Sequence, residues 1–389
     1  MYIGEWQDFW WNNITGPHKA VTGVAEALLS NSTVILKVPA DLPWRRPMRS
    51  AIEEQIRNMS GSGNTIITQI DVADECAPDV DPGRYLLQRF AKSDVFRSYR
   101  EKSGVSVQNY MIRNNVLRDT IIWIKGVDKG QASKWLKFCQ GYKGASVEDG
   151  LFVLEVHEKL ALVEAKNIQT VIFEECVREY DLQLFNSFVL DEQNTYNDRW
   201  KKYISTVAAS LCKTDAEVSE LYLRLMDFRT EDPLSGIERI AELPDFARRG
   251  EDAKSTHVLT LWRKGDKAEL YRRVWEAQLQ VIFPILEMHR VNIIKNLEEN
   301  LHRCLQEHPV YQFGVPITDP YDLEFGTLDY LMAKQDENWV RYLYVPDEAM
   351  RVRIRFLKEC RNSLAHTNCC TVDQVNELMS LSTSAMAYV

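Results

Sequence analysis

The sequence predicts a mixed fold, an α/β domain followed by an all-α bundle, and three observations predict it. Between about residues 30 and 190, five short β-branched runs alternate with helical stretches, the pattern of a mostly parallel sheet covered by helices. From Asp266 onward the apolar residues recur with helical spacing. At 389 residues the chain also exceeds what one hydrophobic core usually organises. The expected organisation is a three-layer α/β domain over 1–195, a helical connector over 196–260 and a helical bundle over 261–389.

The predicted strands are Val34–Val38, Thr65–Ile70, Thr120–Ile124, Leu151–Val156 and Thr170–Phe173. Helices are expected over Pro17–Leu29, Pro47–Met59, Gly83–Tyr99 and Gln131–Tyr142. Gly61-Ser-Gly63-Asn64 reads as a turn, because a strand follows where a phosphate loop needs a helix. The aromatic cluster Trp6, Phe9, Trp10 and Trp11 either pins an N-terminal helix to the core or stacks nucleic-acid bases.

In the connector, Asp232-Pro-Leu-Ser-Gly236 and Arg248-Arg-Gly250 mark turns, and Thr214-x-x-Glu217 has the spacing of a capping box. One helical pattern runs from Asp266 to His308. Pro284 is predicted to kink it into two stacked segments, through its missing N–H and its ring clash. Leu270, Val274, Ile282, Leu286, Ile293 and Leu297 form a stripe that must bury against other helices. Met350–His366 and Thr371–Leu381 close the bundle.

With 45% hydrophobic and 26% charged residues, the composition is that of an ordinary folded protein. The formal charge of -9 disfavours a protein that coats nucleic acid nonspecifically. The start, MYIGEWQDFWWNN, has no signal-peptide pattern, and no long uncharged apolar run occurs, so a cytoplasmic protein with no membrane partner is expected. Eight cysteines without a CxxC pair suggest neither a zinc site nor a disulfide framework, and the reading calls for no metal and no cofactor.

The most basic stretch, Arg351, Arg353, Arg355 and Lys358, leads straight into Arg361-Asn362-Ser-Leu-Ala-His366. Its helix should start near Pro346-Asp-Glu. Met350, Ile354, Leu357 and Leu364 share one side at about 100° per residue, and Arg361 falls in the middle of that side. A guanidinium cannot shed its charge, so it needs a carboxylate, carbonyls, a partner subunit's cleft or a phosphate there. Asn362 and His366, four apart, place an amide beside an imidazole.

This segment, from Phe356 through His366 to the Thr371-x-x-Gln374 capping box, resembles the HEPN superfamily of helical-bundle nucleases and nucleic-acid-associated domains. The resemblance spans roughly residues 260–389 and implies catalytic roles without a metal. Arg361 would bind the scissile phosphate, His366 would act as general acid/base, and Asn362 would orient one or the other. It also implies an RNA substrate, guided by the basic run unless that run is a solvated face, and a homodimer through the bundle. A prokaryotic antiviral-defence or toxin-type role, with a regulatory protein partner, follows from the same resemblance. Structural roles stand beside these: Arg361 as an ion-pair former, and His366 as a helix C-terminal residue favoured by the dipole.

The β-α order of the N-terminal half resembles the P-loop ATPase core of the AAA+ and STAND type, in architecture and not in catalytic residues. After the first strand that family needs Gly-x-x-x-x-Gly-Lys-[Ser/Thr]. Here Val38–Pro47 has no glycine and three prolines, which remove donors a phosphate cradle depends on. A degenerate core is expected, one whose loop after the first strand does not hold a nucleotide in the ordinary way, with a nucleotide-regulated switch as a further reading. Asp128 and Glu155 stand where relics of a magnesium-binding carboxylate would lie, against the plainer reading of helix caps or solvent-facing strand ends. His157 beside Glu158 reads as a strand-end residue.

Overall fold

The computed structural model describes residues 5–60, 65–100, 104–142, 147–160, 168–193, 195–251 and 256–381. The turn expected at Gly61–Asn64 lies outside them. The chain divides into two compact units, the first comprising Met1–Phe185 with Thr214–Val218 and Arg249–Lys254, the second the remainder.

The first unit is built on five parallel strands, β1 (Thr33–Val38), β2 (Ile66–Asp71), β3 (Thr120–Lys125), β4 (Leu151–His157) and β5 (Ile168–Ile172), in the order β2-β3-β4-β1-β5. Helices α1 (Glu5–Asn13) and α2 (Thr15–Leu29) precede β1, and α3 (Arg45–Ser60) joins β1 to β2. Four short helices, α4 (Val72–Glu75), α5 (Pro82–Phe90), α6 (Ser93–Ser98) and α7 (Val107–Arg113), separate β2 from β3. Helix α8 (Lys129–Gly141) links β3 to β4, and α9 (Phe173–Cys176) and α10 (Glu179–Gln193) follow β5.

Alternation along the strands divides the core. Ile35, Ile122, Ile124, Phe152 and Leu154 join Leu86, Met111, Trp135 and Phe138 of α5, α7 and α8 in one cluster. Leu36, Trp123, Val153 and Glu155 therefore turn to the opposite face, where α3 brings Arg45 and Arg49 to Glu155. The mixed fold with a parallel sheet agrees with the sequence expectation.

Two local expectations are corrected. The helix expected over Gly83–Tyr99 is two helices, broken at Ala91, which is extended. Phe90 and Phe96 both pack on the same core, whereas one straight helix would turn residues six apart toward different sides. The Thr214 capping box does not form: the Asp215 carboxylate accepts the Val218 N–H at 3.1 Å, and Glu217 is engaged by Trp44 and Arg249. The N-terminal aromatics act in the core, with Trp6 and Trp10 packing edge-on against Phe185.

The second unit contains α11 (Asp198–Cys212), most of α12 (Ala216–Leu225), α13 (Pro233–Glu242), α14 (Val258–Arg263) and α15 (Lys267–Glu307). A small hairpin, β6 (Tyr311–Gln312) and β7 (Val315–Pro316), precedes α16 (Phe325–Ala333), α17 (Glu348–Ala365) and α18 (Val372–Ser380). Helix α15 runs unbroken for 41 residues through Pro284, contrary to the expected division. Pro284 and Gln280, four residues before it, both lie on the exposed side, so water can satisfy the carbonyl that the proline leaves unpaired. Burial of Leu270, Val274, Ile282, Leu286 and Ile293 on the other side holds both halves in one rod. Helices α11 and α17 pack on α15, and α16 packs on α17. The Thr371–Gln374 capping box forms as expected, with bonds of 3.2 and 2.9 Å.

Glu155, only 4% exposed, is the charge centre of the first unit. Its carboxylate accepts from Arg49 Nε and Nη2 at 2.9 Å each, from Arg45 Nη1 at 2.8 Å and from Trp123 Nε1 at 2.9 Å. Burial pushes its pKa up, but the Arg49 hydrogen bond and the two guanidinium charges outweigh burial and hold it below the ordinary value. It neither caps a helix nor faces solvent, which corrects the plainer of the two expectations. Asp128 does cap α8, accepting the Gln131 N–H at 2.7 Å. Glu155→Ala leaves two arginines and an indole without their acceptor, so urea denaturation should register a loss of about 3 kcal/mol or more. An unchanged midpoint would mean that the cluster contributes nothing to stability.

Candidate functional site

The motif lies on the last turn of α17 and the residue after it. Asp347 starts this helix by accepting the Ala349 N–H at 2.9 Å, one residue beyond Pro346. Met350, Ile354, Leu357, Cys360 and Leu364 are its buried residues. Arg361 shares their side but is half-buried, and its guanidinium reaches out to Glu324 Oε2 at 2.9 Å. Glu324, the N-cap residue of α16, has a half-exposed side chain at 51%, and that of Arg361 is 33% exposed. The partner that Arg361 requires is thus a carboxylate open to solvent, and such a pair contributes little to stability.

Asn362 is half-buried. His366 is the exposed C-cap of α17, its backbone N–H donating to Asn362 O at 3.0 Å. Among the described residues, no hydrogen bond or ion pair engages the His366 imidazole or the Asn362 amide. The motif therefore carries a cation held by a half-exposed carboxylate and, five residues on, an open imidazole at the helix end.

Helix α15 fixes this end of α17. The Trp275 indole donates to Leu364 O at 2.7 Å, inside the motif. Gln278, fully buried, accepts the Cys370 N–H at 2.7 Å and donates to Cys370 O and to the Tyr203 hydroxyl at 3.2 Å each. These two side chains clamp the turn on either side of His366. Sequence reasoning missed both, although Gln278 carried a signal: an uncharged polar residue between Val274, Ala277, Val281 and Ile282 of an apolar stripe.

The basic run does not form one continuous surface. Lys358 Nζ and Arg355 Nε share Asp329 of α16 at 2.7 and 3.3 Å. Arg351 donates to Val345 and Pro346 carbonyls at the start of its own helix. Arg353 has no hydrogen bond or ion pair among the described residues, and its charge, with that of Arg199, acts on His289 of α15. The counter-charges Glu324 and Asp329 were not singled out from the sequence; they arrive from α16, the helix before α17 in the chain.

In open parallel sheets ligands bind beyond the carboxyl ends of the strands, with anions at helix N-termini. Here that position after β1 is held by the protein itself. Trp44, the residue before α3, donates its N–H to Glu217 Oε2 at 3.1 Å. Arg249 pairs with Glu217 at 2.8 Å and with Asp215 at 2.6 Å. Trp44 adopts the left-handed φ of 44°, unfavourable for a large side chain. His157 Nδ1 accepts the Lys159 N–H at 3.1 Å, a strand-end turn bond. The eight cysteines are free thiols.

The chain thus combines a parallel α/β unit with a helical unit that displays an Arg-Asn-x-x-x-His helix end. No protein-family model matches it, and no curated protein is significantly similar to it. No helix among the described residues is long and apolar enough to cross a membrane.

His289 supplies a pH test. It is 4% exposed and its Nε2 has no hydrogen-bond partner. Burial, reinforced by the charges of Arg353 and Arg199, holds its pKa below the ordinary 6.5. The unfolded chain therefore binds this proton more readily, so the native state loses stability as pH falls below about 6.5 toward the lower folded value. Urea midpoints at about pH 7.5 and about pH 5.5 should fall less for His289→Gln than for wild type. Equal falls would remove His289 from the acid response.

Proposed function

We propose that this protein is a metal-independent RNA-cleaving effector of the HEPN type, of a prokaryotic defence or toxin-type system. Its helical unit does the chemistry, and its three-layer α/β unit, like a P-loop core without its phosphate loop, senses or regulates. The observation that carries this reading is the open His366 imidazole at the end of α17, five residues from an arginine held only by a half-exposed carboxylate. A phosphodiester can replace Glu324 at Arg361, because exchanging one solvent-exposed acceptor for another needs little energy.

The chemistry then needs only proton transfer and charge neutralisation. Arg361 neutralises a non-bridging phosphate oxygen as the 2′-hydroxyl oxygen attacks phosphorus. His366 moves the proton, taken from that hydroxyl or given to the departing 5′-oxygen, and Asn362 orients the imidazole or the phosphate. Two copies facing across a cleft supply a second imidazole for the complementary transfer. Arg353 is the cation of the basic run best placed to contact RNA, since Arg355 and Lys358 already share Asp329. The carboxylate at the N-terminus of α3 supports a regulatory unit that works without nucleotide. The free cysteines fit a cytoplasmic setting.

A second reading, a non-catalytic scaffold subunit, is favoured by the Arg361–Glu324 pair itself. The two are separated by incubating purified protein with total RNA in EDTA. Wild type should cleave, with Arg361→Ala and His366→Ala each slower by about 100-fold or more, and ATP should leave the rate unchanged. RNA left intact by wild type, or cut equally by all three proteins, would leave the scaffold reading in place.

A further inference from the structure

Two reverse turns of the helical unit end in large aromatic side chains that none of the described residues covers. In the β6–β7 hairpin the turn is Phe313-Gly314, with φ of 50° and 81°, closed below by an Ile317 N–H to Val310 O bond of 2.8 Å. The second turn lies between Lys334 and Tyr342. A bridge pairs Gln335 with Arg341, and the Asp336 carboxylate accepts the Asn338 and Val340 N–H groups at 2.8 Å each. Trp339, at its tip, has φ of 64°. The His308 ring, just before the first hairpin, stacks on Tyr342 at 3.7 Å and ties the roots of the two turns together.

Phe313 is 98% exposed and Trp339 81%, with Tyr311, Val340 and Tyr344 also exposed around them. Left-handed turn positions favour glycine or asparagine, and a bulky residue is strained there. At the tips of both turns an aromatic residue occupies such a position, and neither is buried. Strain of that kind points to a use for the side chain, and paired exposed aromatics of this size mark interaction surfaces.

The charge of the segment that carries both turns selects the partner. Over residues 310–348, exposed Asp319, Asp322, Glu337 and Glu348 outnumber exposed Lys334 and Arg341, leaving aside Glu324, which holds Arg361. A segment of net negative charge repels nucleic acid and anionic lipid. Aromatic faces beside carboxylates suit guanidinium and ammonium groups, which lie over the rings while pairing with the acids.

We propose that the Phe313 and Trp339 tips form a docking surface for a basic polypeptide segment, whose arginine or lysine side chains cover the two rings. This surface acts independently of the nuclease reading, and its test does not involve RNA cleavage. The full-length chain is titrated with a fluorescent arginine- and leucine-rich peptide, with the same peptide carrying neutral citrulline for arginine, with single-stranded RNA and with phosphatidylserine vesicles. The variant is Phe313→Asn with Trp339→Asn, which removes both rings and places a turn-compatible residue at each position. Its melting temperature should equal or exceed that of wild type. Wild type should bind the arginine peptide, with binding weakened about tenfold or more by the double substitution and by citrulline replacement. The proposal is overturned if wild type ignores the arginine peptide or the variant binds it equally well. It is equally overturned if the tips instead bind RNA or vesicles, or if sedimentation shows them holding two copies of the chain together.

Discussion

The presentation of the candidate site depends on a hydrogen-bonded clamp from α15. A helix C-terminus leaves four carbonyls without intrahelical partners, and the residues after it are free to fray. In α17 the Trp275 indole takes one of these carbonyls, at Leu364, while the Gln278 amide holds both the N–H and the carbonyl of Cys370. Asn362 and His366 lie within or beside the clamped segment, so the open imidazole is displayed from a fixed turn. The clamp residues lie in the half of α15 that precedes Pro284, and burial along the apolar stripe keeps the helix continuous through that proline. A buried glutamine amide that satisfies its partners is stable, and one that loses them is costly, so this contact admits one arrangement.

The first unit follows the same logic with charges. Glu155 sits on an inner face of the sheet, where an unpaired carboxylate would be untenable, and four donors from Arg45, Arg49 and Trp123 fill its acceptor sites. At the neighbouring N-terminus of α3 a second carboxylate, Glu217, meets Trp44 and Arg249. The second position, beyond the end of β1 at a helix N-terminus, lies where other parallel α/β proteins keep space for an anion. Here internal acids and arginines neutralise one another, so these positions are satisfied from within the unit.

Much of the architecture was legible in the sequence, because burial of both sheet faces writes strands as unbroken runs such as Thr120–Ile124 and Leu151–Val156, and these need no long-range information. What was not legible depends on partners far along the chain. The α5–α6 break follows from two phenylalanines sharing one core, and the continuity of α15 from packing that outweighs a local proline effect. At the site, the helix and its caps could be read from Pro346, Asp347 and the Thr371 box. The placement of Arg361 on the apolar side also agrees, yet its partner Glu324 and the anchors Trp275 and Gln278 have no local signature strong enough to pair them with the motif. The basic run looked like one patch because periodicity records direction from one helix axis and says nothing of Asp329 waiting on another.

The clamp can be measured without any assay of activity. Hydrogen exchange at the Cys370 amide, whose N–H donates to Gln278, should accelerate about tenfold or more in Gln278→Leu. Amides in the middle of α17, around Ile354–Leu357, should keep their protection. If Cys370 exchanges at the wild-type rate in that variant, the turn carrying His366 is not held by α15, and the account of how the site is presented is wrong.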